Sequence, residues 1–387
     1  SAESAAMADM QSPAIVLGEP VPWFGAPLLG TGSFHLQVAA GRWIVLTFLG
    51  SPADPRVERD LDALLRDADL FDSDKLIFCG VLTLPPADPA PFLARGTSAI
   101  AFIADYDGII SRSYGADAGP RTIVLDPMLR AIANVAWDDS GNHASAVRDF
   151  LRSLPSVDDS AGVPLTAPIL IVPRVFDFPL CETLVQFYDK IGGQDSGFLV
   201  DVDAKTAQVV DYRIKRRNDL LVVHPVLREA IRDQIVRRLL PPIERFFQFQ
   251  ATRMDRYIVA FYDSEVGGHF QRHRDNENIG AQHRRFAVSI NLNKDFEGCD
   301  LIFPEFGRKT YHPPMGGAVV FSCGALHQVT PVTRGRRYAF LAFLYGEADA
   351  ALREANNAKL HAGAAQYKVE SDRLFVEPSP APAKATA

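Results

Sequence analysis

This 387-residue chain is short of cysteine, of long apolar runs and of net charge, and each shortage excludes a class of protein. The four cysteines, Cys79, Cys181, Cys299 and Cys323, stand far apart without a CxxC pair, which excludes a disulfide-rich scaffold and favours a reducing compartment. No run reaches the roughly 18 apolar residues of a membrane helix, and the first residues lack the pattern of a signal peptide. We therefore expect a cytoplasmic protein without a membrane partner.

Composition and charge exclude two further classes. Hydrophobic residues make up 47% of the chain and charged residues 22%, which excludes disorder for most of it. The net charge of −7 is uneven, because residues 1–160 carry 11 Lys and Arg against 21 Asp and Glu, leaving 29 against 26 for the remainder. This asymmetry predicts two units with different surfaces, and the acidic part gives no sign of a nucleic-acid groove.

Length and local composition predict two domains. A run rich in Pro, Ser and Asp separates them, and small polar or Pro/Ala-rich segments form both ends. The predicted segments are a flexible start at 1–12, a first domain at 13–155, a linker at 156–167, a second domain at 168–350, and a C-terminal helix and tail at 351–387.

In the first domain, short apolar runs alternate with helical patterns, which is typical of an α/β fold with a covered sheet. The helical patterns run from Arg56 to Arg66 and from Ala144 to Leu154. The predicted buried strands are Trp43 to Leu49, Leu76 to Leu84, Ala99 to Ala104 and Thr122 to Leu125.

The second domain is predicted to be mainly β with supporting helices, because closely spaced strands follow two helical segments. The predicted helices run from Cys181 to Ile191, Pro225 to Phe249 and Ala348 to Gln366. The predicted strands are Arg256 to Tyr262, Phe286 to Leu292, Gly317 to Ser322 and Tyr338 to Tyr345.

The densest chemistry lies at His273-Arg274-Asp275, with His327 further along the chain. In an extended segment, side chains at i and i+2 point the same way, so His273 and Asp275 can bind one metal while Arg274 faces away. Two imidazoles and one carboxylate are the ligand set of non-haem Fe(II) oxygenases, which leaves positions open for a co-substrate and O2.

Arg337 opens an apolar strand ten residues after His327. A guanidinium there can form a fork to the distal carboxylate of a co-substrate that chelates the iron. The adjacent Arg336 is the alternative residue for this contact. The alternative interpretation of Arg337 itself is a solvated arginine at the rim of the barrel, without a role in binding.

Several ordered motifs over about residues 165–346 resemble the prolyl 4-hydroxylase-like branch of Fe(II)/2-oxoglutarate dioxygenases. The segments that carry the resemblance are Tyr262 to Asp275, Arg285 to Asn293, Phe296 to Gly298, Phe303-Pro304, Pro314 to Phe321 and His327 to Arg337.

The resemblance implies a double-stranded β-helix (jelly roll) and a requirement for Fe(II), 2-oxoglutarate and O2, with ascorbate as a stimulant. It assigns His273, Asp275 and His327 as metal ligands and catalytic residues, and Arg337 and Tyr262 as residues that bind the co-substrate. The implied reaction is hydroxylation of a C–H bond with release of succinate and CO2. Prolyl residues in a protein or peptide are the expected substrate; a free amino acid or small metabolite, or a sensor without turnover, are the alternatives.

Other polar residues near these motifs are interpreted as structural. Cys299 is expected to fill space, with the alternative that it lines the site. His269 and His283 are expected to shape the substrate entrance or lie on the surface. His312 is not preferred as a ligand. The basic run Arg213 to Arg217 is expected to be solvated, with the alternative that it lines the barrel entrance and meets an acidic or peptide substrate.

Residues 16–155 resemble the peroxiredoxin branch of the thioredoxin-like fold. The carrying segments are Gly18 to Phe24, Arg42 to Leu49, Ala104 to Gly108, Tyr114-Gly115 and Pro120 to Pro127. The loop from Gly50 to Arg56, where that family holds its reactive cysteine, contains no cysteine, and Cys79 lies in an apolar run. We therefore expect a non-catalytic module for homodimerisation, partner docking or substrate presentation.

Overall fold

The computed structural model describes residues 15–137, 140–202, 205–360, 367–368 and 372–375. Its contacts divide the chain into two compact units, Ser1–Ala167 with Phe303–Lys309, and Pro168–Ile302 with Thr310–Ala387. The predicted flexible start and Pro/Ala tail lie outside the described residues. Within the described ranges, no helix combines the length and apolar character needed to cross a bilayer.

The strands of the first unit are β1 (Gly25–Pro27), β2 (Ser33–His35), β3 (Trp43–Gly50), β4 (Leu76–Leu82), β5 (Ile100–Ala104), β6 (Arg121–Leu125) and β7 (Ala131–Ala136). Five of these strands form the main sheet of the unit, in the order β5-β4-β3-β6-β7. Its helices are α1 (Leu36–Ala39), α2 (Pro55–Leu65), α3 (Ala90–Arg95), α4 (Ile109–Ser113) and α5 (His143–Ser153).

Strand β3 pairs in parallel with β4 and antiparallel with β6, and β7 completes a hairpin with β6. This arrangement, with α2 between β3 and β4, is the thioredoxin-like fold, so the predicted fold class is confirmed. Every residue of β4 is buried, which explains why the strands read as continuous apolar runs.

The loop before α2 is organised around a carboxylate. Asp54 caps the helix by accepting a hydrogen bond from the Arg56 backbone N–H at 2.9 Å, and Pro55 occupies the first helical turn. The Arg56 guanidinium also donates to Asp54, and this bond holds the pKa of the Asp54 carboxyl below its ordinary value. Cys79 lies in the middle of β4 with 1% of its surface exposed, and burial raises its thiol pKa to about 12. The interpretation of Cys79 as a buried, unreactive thiol is therefore confirmed.

The second unit holds the remaining long elements. Its helices are α6 (Phe178–Ile191), α7 (Pro225–Gln234), α8 (Leu240–Phe247) and α9 (Glu347–Ala355). Its strands are β8 (Leu170–Val172), β9 (Gln194–Asp195), β10 (Phe198–Val202), β11 (Lys205–Val209), β12 (Lys215–Arg216), β13 (Asn218–Leu221), β14 (Arg253–Asp263), β15 (His269–His273), β16 (Phe286–Asn291), β17 (Phe296–Gly298), β18 (Leu301–Ile302), β19 (Thr310–Tyr311), β20 (Ala318–Ser322), β21 (His327–Val329) and β22 (Val332–Tyr345).

Two antiparallel sheets form the body of this unit. The larger follows the order β8-β20-β16-β22-β14-β13-β9, with β17 paired to β22, and the smaller follows β12-β15-β21-β18-β19. These two sheets give the double-stranded β-helix that the resemblance implied, so this part of the fold class is also confirmed.

The supporting helices pack on the larger sheet. Leu184 of α6 and Ile231 of α7 join Val259 and Phe340 of the sheet in one buried apolar cluster. Helices α7 and α8 are continuous through a π-helical turn at Ile235–Leu239, as the single predicted segment required. The predicted last helix was too long, because α9 ends at Ala355 and a 3-10 turn, Asn356–Lys359, follows; residues 361–366 lie outside the described ranges.

Candidate metal centre

Cross-strand pairing brings the three predicted metal ligands together. Strand β15 runs antiparallel to β21, and His273 lies directly opposite His327 in that register. Asp275 follows β15 by two residues, so its carboxylate lies beside both imidazoles. The Nε2 atoms of His273 and His327 are 3.5 and 3.4 Å from the carboxylate oxygens of Asp275.

The free nitrogen of each imidazole faces the centre of this cluster. His273 Nδ1 lies 2.7 Å from the carbonyl oxygen of Gln271, and His327 Nδ1 lies 3.0 Å from that of Ala325. A carbonyl oxygen only accepts, so each Nδ1 carries the proton and each Nε2 keeps its lone pair for a metal.

The ligand spacing fits one six-coordinate ion. The three ligand atoms all lie within 4.8 Å of one another. Bonds of about 2.1 Å at right angles place neighbouring ligand atoms about 3 Å apart, so a small inward shift completes the site.

The protonation states also suit a cation. Burial and the neighbouring His273 lower the pKa of His327 to about 4, so this imidazole is uncharged at neutral pH. Burial raises the pKa of the Asp275 carboxyl, but the two imidazoles beside it outweigh burial and leave that pKa below its ordinary value. Neutral imidazole and ionised carboxylate are the forms that bind Fe(II).

Arg337 is buried in a pocket lined by neutral groups. Its side chain is 2% exposed, Nε donates to Asn291 Oδ1 at 2.8 Å, and Nη2 donates to Ser289 Oγ at 2.9 Å. Its Nη1 lies 3.7 Å from Cys299 Sγ, so Cys299 contacts the guanidinium and lines this pocket. Among the described residues, no carboxylate forms an ion pair with Arg337, which leaves a buried cation ready for an anionic ligand.

Tyr262 forms the next wall of this pocket. In the pairing of β14 with β22, Tyr262 lies opposite Arg337, and the Arg337 guanidinium carbon is 5.5 Å from the centre of the Tyr262 ring. The Tyr262 hydroxyl lies 3.5 Å from Nη1 of Arg217. The structure thus places both predicted co-substrate residues at one site.

The basic run before α7 is not a solvated face, which corrects the sequence interpretation. Arg213 is exposed, but Lys215 is only 4% exposed and Arg217 is buried in an ion pair with Asp219 at 2.6 Å. Alternation along the segment does not predict this difference, because Arg213 has the same parity as Lys215 and Arg217 but is exposed.

The other histidines that the sequence analysis considered, His269, His283 and His312, lie outside the ligand cluster. His312 bonds to Asp300 at 2.7 Å, and His269 contacts the backbone of Gly267. His283 is 2% exposed and lies 3.4 Å from Asp255, so placing it on the surface or at the entrance was wrong.

His283 gives a prediction about pH and stability. Burial lowers the pKa of His283 from 6.5 to about 4, although Asp255 opposes this shift. Below pH 6.5 His283 binds a proton in the unfolded chain, whereas in the folded chain it does so only near pH 4. The free energy of unfolding therefore falls across this window, by about 3 kcal/mol for this one group.

Urea unfolding at pH 7.5 and 4.5, followed by far-UV circular dichroism, measures this loss. His283→Gln is expected to reduce the loss in the second unit. Tryptophan fluorescence serves as the internal control, because Trp23, Trp43 and Trp137 all lie in the first unit. Equal pH dependence in the variant and the parent protein would contradict the assignment.

Comparison with known proteins agrees with this site. Residues 257–345 match the model of the 2OG-Fe(II) oxygenase superfamily. A PKHD-type hydroxylase of Synechococcus sp. (strain JA-2-3B'a(2-13)) is 28% identical over 115 residues, which are 27% of this chain and 51% of the relative. One of Nitrosomonas europaea is 28% identical over 157 residues, which are 38% of this chain and 65% of the relative. The chain thus spans about half to two thirds of the length of these relatives.

Solved structures similar to each half were also found. A Pseudomonas putida prolyl-4-hydroxylase is 16% identical with a TM-score of 0.35, covering 49% of this chain and 95% of that one. A peroxidoxin from Mycobacterium tuberculosis is 20% identical with a TM-score of 0.33, covering 37% of this chain and 99% of that one.

The matched residues include the whole metal cluster together with Tyr262 and Arg337. Sequence match, ligand set and strand pairing therefore agree on one assignment. Residues 257–345 are similar in sequence to the 2OG-Fe(II) oxygenase superfamily, and all of them except 303–309 lie in the second unit.

Proposed function

We propose that this protein is an Fe(II)- and 2-oxoglutarate-dependent dioxygenase that hydroxylates a C–H bond. The reaction consumes the substrate, 2-oxoglutarate and O2, and releases the hydroxylated product, succinate and CO2. The observation that carries the proposal is the buried Arg337, without a carboxylate partner in the described part of the chain, in the same domain as a His-Asp-His cluster. A dianionic co-substrate suits both features, because one end can chelate the metal and the other can pair with the guanidinium.

His273, Asp275 and His327 would hold the iron, and the chain's own groups prepare the site for it. Fe(II) bound there would supply the redox chemistry that couples O2 reduction to 2-oxoglutarate decarboxylation and hydroxylation. The backbone carbonyls of Gln271 and Ala325 fix the imidazole tautomers. Ascorbate is expected to stimulate turnover by keeping the iron reduced.

The co-substrate pocket is pre-organised by neutral donors and acceptors. Ser289 and Asn291 hold the Arg337 fork in place, so 2-oxoglutarate would meet an ordered guanidinium. Tyr262 is buried beside that fork and is proposed to donate its hydroxyl hydrogen to the co-substrate.

Prolyl residues of a protein or peptide are the proposed substrate. The relatives named PKHD-type hydroxylases and the similarity of the motifs to prolyl 4-hydroxylases support this choice. The thioredoxin-like unit is proposed to be non-catalytic and to dimerise or to dock the substrate, because its loop carries Asp54 and no thiol.

Anaerobic titration tests the proposal. Addition of Fe(II) and then 2-oxoglutarate to the full chain should produce a metal-to-ligand charge-transfer absorption band. Exposure to O2 should then yield succinate, with more formed when a proline-containing peptide is the true substrate. Absence of both signals would refute the proposal, and a band without succinate would indicate a sensor. Stimulation by a small metabolite alone would reassign the substrate.

A further inference from the structure

The interior of the second unit holds more basic side chains than the metal and co-substrate sites use. We name Lys215, Arg217, Arg256 and Arg284 the basic cluster. These residues come from different parts of the chain, and each acts electrostatically on at least one other member. Their positive charges need anions nearby to balance them.

Two members of the basic cluster are satisfied by the protein itself. Lys215 Nζ donates to Ser196 Oγ and to the Gly197 carbonyl oxygen, both at 2.7 Å. Arg217 donates to both carboxylate oxygens of Asp219, at 2.7 and 2.6 Å. Because these hydrogen bonds already hold the charged groups of Lys215 and Arg217 in place, neither residue is the primary contact for a ligand.

The basic cluster adjoins the metal centre. Lys215 Nζ lies 4.7 Å above the ring of Phe270, which in turn stacks on His273 with ring centres 3.5 Å apart. Arg284 Nη1 donates to the backbone carbonyl of Asp275 at 3.3 Å. Lys215 and Arg284 therefore place one side of the basic cluster beside the metal ligands.

Arg256 is the member that has no fixed partner. Within the described ranges the Arg256 side chain makes neither a hydrogen bond nor an ion pair, and this residue is half-buried. Its φ of 61° places it in the left-handed region, at the bulge between Asp255 and Ile258 in the pairing of β14 with β22. For an arginine this conformation is strained, and such strain concentrates at functional positions.

The nearby carboxylates are already engaged. Asp255 pairs with Arg353 at 3.1 Å and with Arg284 at 3.5 Å, and Asp219 pairs with Arg217. Burial and the neighbouring guanidinium of Arg284 together lower the pKa of Arg256 to about 10, so Arg256 remains charged at neutral pH. Arg256 is a half-buried cation near other cations, so the binding of an anion would stabilise it.

We propose that the primary substrate carries an anionic group, a carboxylate or a phosphate, that binds Arg256 in the basic cluster. This inference rests on the proposed dioxygenase function and names the substrate class of the same site. Arg256 would act as a specificity-determining residue, with Arg217, Lys215 and Arg284 supplying a positive field. The group is distinct from the distal carboxylate of 2-oxoglutarate, which Arg337 would hold.

Matched probes test this inference by calorimetry on the full chain, loaded with Fe(II) and 2-oxoglutarate without oxygen. N-acetylproline and N-acetylprolinamide differ by one negative charge, and inorganic phosphate tests the other anion. At least one anion is expected to bind about 10- to 100-fold more tightly than the amide, and less tightly at high salt. Whichever anion binds more tightly identifies the favoured source of the charge.

Variants show whether Arg256 makes the distinction. Arg256→Gln should abolish the preference for the anion, and Arg256→Lys should retain part of it. Arg213→Gln is the matched control, because it also removes one positive charge but from a side chain that is 90% exposed. Affinity for 2-oxoglutarate should stay within about twofold in all three variants.

Three outcomes would overturn the inference: equal affinity for anion and amide, a preference that survives Arg256→Gln, or a loss of 2-oxoglutarate affinity in that variant. The last would assign Arg256 to the co-substrate. The charge-transfer band, recorded in the same samples, separates this failure from failure of the proposed function, because that band depends on the metal and 2-oxoglutarate alone.

Discussion

Replacement of His273 by alanine is expected to abolish succinate formation and to weaken Fe(II) binding at least about 100-fold. Loss of outer-shell partners alone costs 10- to 100-fold in metal affinity, so loss of a ligand costs at least as much. His273 lies opposite His327 in the strand pairing, and no other described histidine joins the cluster to replace it. Anaerobic titration of Fe(II) against the full chain, with and without 2-oxoglutarate, measures the effect.

His312→Ala is the matched control for this prediction. His312 also contacts a carboxylate, Asp300, but does not belong to the ligand cluster, so its variant should keep the affinity of the parent protein. Thermal unfolding followed by far-UV circular dichroism should show that both variants fold. Parent-like iron affinity in His273→Ala would show that the metal binds elsewhere.

Replacement of Arg337 by glutamine is expected to raise the KM for 2-oxoglutarate by about 100- to 5000-fold. The variant keeps a polar side chain beside Asn291 and Ser289 but removes the charge that would meet the distal carboxylate. Breaking a buried ion pair by removing one partner costs about 3–5 kcal/mol, which corresponds to that range. Steady-state succinate formation at varied 2-oxoglutarate concentration is the measurement.

Arg336→Gln is the control that decides between the two adjacent arginines. The Arg336 side chain is 54% exposed and pairs with Asp263, so its loss should change the KM less than about twofold. Arg337→Lys should fall between the parent and Arg337→Gln, because it keeps the charge and loses the fork. A larger effect at Arg336 than at Arg337 would contradict the assignment.

The apolar patterns predicted most of the regular structure. Strand β3 was expected from Trp43 to Leu49 and runs to Gly50, and α6 begins three residues before the predicted Cys181. Local patterns succeed here because burial on one face, or on both, imposes a period on the sequence. The end of α9 was missed because a helix that ends at Ala355 does so without a glycine or proline signal.

Individual polar residues were less predictable than the elements that carry them. Lys215 and Arg217 are largely buried because Ser196 and Asp219 accept hydrogen bonds from their charged groups. His283 is buried because Asp255, from a strand distant in the sequence, accepts a hydrogen bond from its imidazole. The partners of Lys215 and His283 lie 19 and 28 residues away in the sequence, so no local pattern records them, whereas Asp219 is only two residues from Arg217.

The sequence by itself determined the two-part organisation, the ligand types at 273, 275 and 327, and the absence of a thiol from the loop before α2. It did so because chemistry depends on residue identity and because the i, i+2 spacing fixes direction along a strand. Only the tertiary structure decided that His273 faces His327, that Ser289 and Asn291 hold Arg337, and that Arg256 is without a partner among the described residues. Those facts depend on strand register and on a bulge, and both are set by packing across the whole sheet.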